Sequence, residues 1–397
     1  MVPSLGGLRL TGDEADHFRK CLDGLIELEG GNPHTRSASY AAVEQAFRRA
    51  VLEAIFPARA DDESPALCEA RIKSDPRPVF EARLELALAS LKGFLIAAPN
   101  MWSLSIPVSG FSPVVLPLKF GGVSISQTID PDIRGAMDAD TFSRSFDSQV
   151  VASLVVSAKD EDAARQLATE RLRRTIDILN FYAGFFTEVK REFRAFVAPD
   201  GVRRTFSWAI RPAGSEGAYG WGNAYPRDEP ISLVMDPASE PGRQIGFSRV
   251  DEMLTRDERT DLERRILNAL SWAGRAQSEY RREQSFLLLA IALEGLLAKE
   301  DARSGNTERL GLRAAHVLGT SRAGRRELVE AVRNLYGVRS VLVHTGDFNG
   351  LQDDDLAVIR DLVDRLVTVL LTDSRFNTMK TARDLEKWFD DQLLGPE

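Results

Sequence analysis

The sequence predicts an α+β protein, with a mixed α/β region over residues 1–250 followed by an all-helical bundle over residues 251–397. Short β-branched runs broken by Gly and Pro occur between residues 103 and 211, a pattern typical of strands and turns. From residue 251 onward, apolar residues recur at helical spacing and strand signals almost vanish. A length of 397 residues also favours two domains over a single core.

The N-terminal region combines predicted helices with predicted strands. Amphipathic patterns predict helices over residues 14–28, 40–56 and 80–97. Strands are predicted over residues 103–108, 113–119, 122–126 and 150–157, with further strand-like residues over 192–211. Asp160, Glu161 and Asp162 place negative charge where it favours the start of another helix. We therefore expect a sheet flanked by helices in this region.

Four helices are predicted in the C-terminal region. The third covers residues 325–343 and the fourth covers residues 353–371. The residues predicted to face inward on the other two helices and on the fourth are Leu262, Ile266, Leu270, Phe286, Leu289, Leu293, Leu296, Val358, Leu362, Leu366 and Val369 or Leu370. A bundle of about 140 residues is large enough to form an independent domain.

Composition and charge restrict the class of protein. The chain has 43% hydrophobic and 28% charged residues, as globular proteins do. It lacks an N-terminal charged segment followed by an apolar one, and it lacks an uncharged run of roughly 18 residues. We therefore expect a cytoplasmic protein without a membrane partner. Cys21 and Cys68 are the only cysteines, which argues against a disulfide framework and against a cysteine-rich zinc site.

One segment is cationic although the chain as a whole is acidic. The formal net charge of −8 argues against general attraction to nucleic acid. Residues 301–345, however, contain eight arginines against four carboxylates. Such a segment either contacts phosphate or forms a solvated helical face, and composition alone leaves both interpretations open.

Several common enzyme motifs do not occur. The sequence contains no G-x-x-x-x-G-K-[ST], G-x-S-x-G, H-E-x-x-H or intact G-x-G-x-x-G motif. Asp132 together with Glu188 and Lys190 resembles the parts of a metal-dependent PD-(D/E)xK nuclease site. Their separation is long and Glu188 falls after a predicted helix, so this alternative is weaker. No metal site and no cofactor are predicted.

The segment LYGVRSVLVHTG, residues 335–346, contains Arg339 and His344 as an R-x4-H pair. Spacing alone is weak support, since Arg309 and His316 form an R-x6-H pair by apparent coincidence. His17 has no neighbour that suggests chemistry, and the same is true of His34.

The helical context makes Arg339 unusual. With about 100° of rotation per residue, Arg339 lies only about 20° from Leu328 on a stripe that also contains Val332 and Leu335. A cation on an apolar stripe is costly without a partner. Glu294 in the segment ALEGLL is the obvious partner. A structural ion pair and a functional arginine both remain open at this point.

Three separated segments resemble the Apea-like branch of the HEPN superfamily. They are FLLLAIALEGLLAKE over residues 286–300, the Arg-Ala-Ala triplet at residues 313–315, and LYGVRSVLVHTG. The resemblance covers residues 262–346, and the three segments occur in the order usual for that branch.

The resemblance implies a ribonuclease of prokaryotic defence, or abortive infection, type. Arg339 and His344 match the R-x4–6-H motif of the family and are the catalytic candidates. Ser340 takes the polar position after the arginine, where Asn, Asp or His is more usual. Glu294 matches the acidic residue of the A-L-E segment and is expected to orient Arg339.

The resemblance also implies partners and a mechanism. HEPN domains characteristically dimerise, so we expect a homodimer whose two chains share one RNA-cleaving cleft. Histidine suits proton transfer near neutral pH, and arginine suits contact with phosphate, so RNA can be cut by its own 2′-OH without a metal. Arg325, Arg326 and Arg333 are the candidate RNA contacts. Residues 1–250 are expected to sense or regulate, and an inhibitor or trigger protein is possible.

Two other functions remain open from the sequence. A non-catalytic HEPN module would bind RNA or a partner protein through the same bundle. An adaptor without a nucleic-acid role would fit the acidic net charge. Retention or loss of RNA cleavage on substitution of His344 separates these alternatives from the ribonuclease.

Overall fold

The computed structural model describes residues 4–5, 8–9, 13–28, 38–55, 77–112, 115–127, 150–183, 195–197, 206–210, 220–224, 231, 239–256, 258–298, 307–346 and 350–394. The strands are β1 Ser4–Leu5, β2 Leu8–Arg9, β3 Asn100–Ser109, β4 Leu118–Phe120, β5 Val123–Ser126, β6 Val150–Ala158, β7 Phe196–Val197, β8 Phe206–Ile210 and β9 Gly220–Ala224. The first seven helices are α1 Asp13–Leu28, α2 Tyr40–Ile55, α3 Arg77–Ile96, α4 Glu161–Ala183, α5 Glu240–Gln244, α6 Phe247–Thr255 and α7 Asp261–Ser278. The remaining helices are α8 Arg282–Leu297, α9 Thr307–Leu318, α10 Arg322–Thr345, α11 Asp353–Thr372, α12 Ser374–Asn377 and α13 Ala382–Leu394.

The protein is an α+β protein that is mostly helical. Its largest described sheet has the strand order β4-β5-β6-β3-β7, and β8 pairs with β9 in a separate two-stranded sheet. The chain divides into two compact units. The first comprises Met1–Leu104 and Val155–Glu170, and the second comprises Ser105–Leu154 and Arg171–Glu397. A sensing or regulatory role for residues 1–250 stays a prediction, as does the boundary at residue 250.

The first unit has a small helical core. Leu22, Ala38 and Val43 are buried together, and Phe47 packs against them. Asp160 begins α4 as its charge predicts, because one carboxylate oxygen accepts a hydrogen bond from the Ala163 N–H at 2.9 Å. The other oxygen accepts from the Ser39 N–H at 2.8 Å. The acidic start of this helix therefore also fixes the segment that leads into α2.

The second unit contains the β4–β5 hairpin. Phe120 pairs with Val123 across the turn formed by Gly121 and Gly122, and both glycines have positive φ. This conformation suits glycine in a two-residue hairpin turn. The Gly121 N–H donates to the Asp251 carboxylate at 2.7 Å, so the turn is held against α6.

Most of the predicted strands and helices are confirmed, and the exceptions are local. Residues 113–119 do not form one strand: residues 115–117 lie outside β4, and residues 113–114 lie outside the described residues. Pro117 has no N–H to donate to a sheet, which favours a strand that begins after it. The predicted inward position of Val358 is wrong, because this side chain is exposed. The buried stripe of α11 runs through Ile359, Leu362 and Leu366 instead.

The helices of the second unit pack as a bundle around the residues that their spacing places inward. Ten of those predicted residues are buried: Leu262, Ile266, Leu270, Phe286, Leu289, Leu293, Leu296, Leu362, Leu366 and Leu370. The closely packed helix pairs are α7 with α8, α8 with α11, and α9 with α10. Helix α9 is not predicted by the sequence pattern, and neither is α13. None of the described helices has the length and apolar character needed to cross a membrane.

A buried ion pair joins α9 to α13. The Arg313 side chain is only 2% exposed and forms an ion pair with Glu386. One of its N–H groups also donates to the Leu297 carbonyl at 2.6 Å, and its guanidinium lies over the Phe389 ring at 4.7 Å from the centroid. Arg313 therefore stabilises the bundle from inside, and its charge does not contribute to a surface for phosphate.

Helix α4 approaches α7 closely within the second unit. A Cβ atom added at Gly274 would lie 1.7 Å from the Asp177 carbonyl oxygen, so only glycine fits there without movement of a helix. On either side of this position, the Asp177 carboxylate accepts from the Ser271 hydroxyl at 2.7 Å and from Arg275 Nε at 2.8 Å. The glycine and the two polar contacts fix how this part of α4 lies against the bundle.

Candidate functional site

Helix α10 carries six of the seven candidate residues. It begins at Arg322, where the Ser321 hydroxyl caps it by accepting from the Gly324 N–H at 3.1 Å. It ends at Thr345, and Gly346 follows in the left-handed conformation with φ of 65°. This end is set by the sequence HTG, which leaves His344 in the last turn.

Arg339 contacts Glu294 of α8, as its position on the apolar stripe predicts. The shortest distance between the guanidinium and the carboxylate is 3.2 Å, and the two side chains are 35% and 28% exposed. Both groups are thus partly open to solvent, which makes the pair a weak contribution to stability. The guanidinium contacts Glu294 on one side and keeps exposed surface for a further ligand.

Tyr336 lies one turn before Arg339 and is buried. Burial raises the pKa of its hydroxyl, and the neighbouring Glu294 carboxylate raises it further. The hydroxyl does not meet a partner at normal hydrogen-bond geometry among the described residues. Tyr336 therefore stays protonated beside the Glu294 carboxylate.

His344 and Ser340 lie together on an exposed part of α10. A separation of four residues places them on one helix face, with about 5–6 Å between their Cβ atoms. Two large apolar side chains beside His344 are also exposed, Val341 at 44% and Val343 at 51%. Apolar side chains so exposed at a helix end are suited to burial by a partner surface.

Arg339 and His344 do not converge within one protomer. Five residues of helix separate their side chains by about 140° around the axis and about 7.5 Å along it. Arg339 is directed toward α8 by its contact with Glu294, while His344 is exposed at the helix end. A single chain therefore does not bring a histidine for proton transfer and an arginine for phosphate binding to one place.

The three candidate RNA contacts line one pocket between α9 and α10. Arg325, Arg326 and Arg333 lie in its wall together with Arg322, and the cavity volume is about 690 Å³. Glu327 and Glu330 are the carboxylates of the same wall, and the remaining lining residues are Leu312, Ala315, His316 and Val329. Four cations against two anions leave the pocket with a positive balance. RNA binding by these arginines stays a prediction.

His316 is the pocket residue whose place the sequence pattern does not predict. Its imidazole is partly buried, and its Nδ1 atom is inaccessible to solvent and has no hydrogen-bond partner among the described residues. Burial lowers the pKa of His316, and the nearby Arg325 lowers it further, so the ring is neutral near pH 7. His316 thus places a neutral imidazole within an arginine-rich pocket, whereas Arg309, the arginine of its R-x6-H spacing, does not line this pocket.

The alternative nuclease residues Asp132, Glu188 and Lys190 lie outside the described residues, and so does His34. Within the described part of the chain, no group of three or more His, Cys, Asp and Glu side chains is arranged to hold a metal ion. His17 is exposed on α1 in the first unit.

Comparison of the chain with models of protein families found no matching family. Comparisons with curated proteins and with solved structures also found no significant match.

Proposed function

We propose that the chain is a metal-independent endoribonuclease of prokaryotic defence type, acting in the cytoplasm, with a HEPN-like bundle as its catalytic domain. The observation that carries the proposal is the arrangement on α10: an exposed His344 in its last turn and a half-exposed Arg339 oriented by Glu294 at 3.2 Å. These two residue types are sufficient for RNA cleavage by the 2′-OH group.

The proposed chemistry divides the work between the two side chains. The neighbouring 2′-OH attacks the scissile phosphorus while a histidine accepts its proton, and the 5′-oxygen leaves with a proton from an acid. The bond from phosphorus to the 2′-oxygen forms as the bond to the 5′-oxygen breaks, which leaves a 2′,3′-cyclic phosphate. Arg339 stabilises the negative charge that develops on the phosphoryl oxygens.

A second protomer completes the proposed site. One chain supplies one histidine, whereas the reaction requires both a base and an acid, and His344 and Arg339 point about 140° apart on one helix. A two-fold axis near the end of α10 brings one His344 and one Arg339 from each chain to a shared cleft. The exposed Val341 and Val343 side chains give this surface the apolar character that an interface requires.

The products of the reaction test the proposal directly. We expect the purified chain to cleave total bacterial RNA in excess EDTA and to leave 5′ fragments that end in a 2′,3′-cyclic phosphate. A 2′-deoxy nucleotide at the cut should block cleavage, because the attacking group is then missing. Gel analysis of an end-labelled oligoribonucleotide, with mass spectrometry of the fragments, measures all three properties.

A different set of products would reject this mechanism. Cleavage that stops on chelation and returns with magnesium, leaving a terminal phosphate and hydroxyl, would indicate water activated by metal ions. That result would move the active site to Asp132, Glu188 and Lys190. RNA that stays intact at every protein concentration would reject catalysis altogether.

Subunit mixing tests the shared cleft. Light scattering is expected to give twice the chain mass of 44.0 kDa. We expect a heterodimer of Arg339→Ala and His344→Ala chains, purified through two different tags, to cleave RNA faster than either homodimer. Only the heterodimer retains an arginine and a histidine in the same cleft, and its rate should stay below that of the unchanged protein because one of the two histidines is missing. A monomer that cleaves RNA would contradict the shared site.

The contact between Arg339 and Glu294 also fits a second function, a non-catalytic module that binds RNA or a partner protein. An arginine neutralised within its own chain can serve the fold alone. In that case the chain binds an oligoribonucleotide but leaves it uncut, and His344→Ala changes neither property.

A further inference from the structure

The pocket between α9 and α10 has the composition of a binding site for a phosphorylated ligand. Its volume of about 690 Å³ lies within the range of about 300–1,000 Å³ common for small-molecule sites. Arg322 and Arg326 form no ion pair with any carboxylate among the described residues. Two guanidinium groups at the edge of one cavity are thus available to an anion.

The other two arginines of the pocket are already held in place. Arg325 donates through Nε to the Gly319 carbonyl at 3.0 Å, which leaves its terminal nitrogens for a ligand. Arg333 forms an ion pair with Glu330 at 2.7 Å on the exposed side. Fixed guanidinium groups lose less side-chain entropy when they bind phosphate, and their planar donors match its oxygens.

Close packing of α9 against α10 shapes the apolar part of the pocket. A Cβ atom at Gly311 would lie 3.2 Å from the Val329 Cα, so the two helices approach closely at this level. Leu312, Ala315 and Val329 form the apolar surface beside the arginines. A ligand with a flat apolar part and a phosphate fits this combination better than an inorganic ion alone.

His316 adds a hydrogen-bond donor to this surface. Its Nδ1 has no partner among the described residues and no access to solvent. An unpaired lone pair there costs less than an unpaired N–H, so the proton of the neutral ring belongs on Nε2. The Nε2–H group is then the ring's donor for a ligand in the pocket.

We propose that this pocket binds the phosphate of a nucleotide, with Arg322, Arg326 and His316 as its contacts. The nucleotide is either one unit of an RNA strand or a free nucleotide. The pocket and His344 lie on the same face of α10, since Arg333 and His344 are about 20° apart around the axis and about 16 Å apart along it. An RNA strand bound at the pocket can thus extend toward His344. Binding itself does not depend on the proposed cleavage.

Binding measurements with the full chain test this proposal. The probes are inorganic pyrophosphate, ATP, adenosine as the probe without phosphate, and a fluorescein-labelled 2′-O-methyl oligoribonucleotide that 2′-OH attack cannot cut. We expect the phosphorylated probes to bind at low salt and adenosine to fail. The double variant Arg322→Gln with Arg326→Gln should weaken binding by about tenfold or more, because two charge-assisted contacts are lost.

Arg309→Gln is the matched control, since Arg309 is exposed on α9 and does not line the pocket. Its affinity for each probe should equal that of the unchanged protein. Binding of ATP and pyrophosphate in competition with the oligonucleotide assigns the pocket to a free nucleotide, whereas binding of the oligonucleotide alone assigns it to an RNA strand. In both cases the imidazole NMR signals of His316 should shift on binding while those of His17 stay unchanged.

Equal affinity of the double variant and of Arg309→Gln would overturn the proposal, and so would the failure of every phosphorylated probe to bind. Because the modified oligonucleotide resists cleavage, the measured affinities do not depend on whether the protein cleaves RNA. Binding that depends on Arg322 and Arg326 in a protein that never cuts RNA would refute the proposed ribonuclease and leave the pocket assigned.

Discussion

Replacement of His344 by alanine is expected to abolish RNA cleavage while leaving the fold intact. General acid–base catalysis contributes about 10²–10⁴-fold, and the shared cleft loses both its base and its acid at once in the homodimer. The side chain is exposed, so its removal creates no cavity in the core. Cleavage rates on a labelled oligoribonucleotide, together with circular dichroism and thermal unfolding, measure the two effects separately.

Arg339→Ala should reduce cleavage to a similar extent because it removes the group that stabilises the charged phosphorane. The variant Glu294→Gln tests whether the Glu294 carboxylate orients Arg339, and it should have a smaller effect. It keeps the shape of the side chain but removes the charge that orients Arg339, so we expect a partial loss of the maximal rate with little change in RNA affinity. His17→Ala is the control, since His17 is exposed in the other unit. Undiminished cleavage by His344→Ala would show that the catalytic assignment is incorrect.

The long helices are predictable from the sequence because their pattern is local. Leu262, Ile266 and Leu270 repeat at helical spacing and are all buried in α7. Helix α9 is short, and small residues such as Ala314 occupy part of its buried face. Its buried Arg313 interrupts the apolar pattern and is neutralised by Glu386, which lies 73 residues later. A pattern that depends on so distant a partner cannot be read from a local window.

The part of the candidate site that depends on a local pattern was also predictable from the sequence. Arg339 interrupts an apolar stripe, so a carboxylate partner could be predicted, and the contact with Glu294 confirms it. The pocket around His316 requires the close packing of two helices, one of which has no clear local pattern. The cationic segment indicates that arginines are concentrated there, but only the fold shows that Arg313 is buried inside the bundle while Arg322 and Arg326 line a cavity.

A single methyl group at Gly274 is expected to destabilise the second unit strongly. In Gly274→Ala the new Cβ would lie 1.7 Å from the Asp177 carbonyl oxygen and 2.4 Å from its carbonyl carbon. Backbone atoms cannot rotate away as a side chain can, so one of the two helices must shift. That shift also strains the contacts of Asp177 with Ser271 and Arg275. We expect a loss of about 3 kcal/mol or more in the free energy of unfolding.

Gly295→Ala provides the matched control because it makes the same chemical change inside a neighbouring helix. Apart from its chain neighbours and the backbone of its own helix, none of the described residues has a heavy atom within 4 Å of the position that its Cβ would take. Alanine has the higher helix propensity by about 1 kcal/mol, so this variant should be as stable as the unchanged protein or more stable. Helix propensity alone predicts that alanine raises the free energy of unfolding at both positions. Packing predicts instead that alanine lowers it at Gly274 and does not lower it at Gly295. Thermal unfolding of the two purified variants decides between these expectations. Equal midpoints would show that a Cβ atom at position 274 does not meet the Asp177 carbonyl oxygen at 1.7 Å, so that α4 and α7 lie further apart than described.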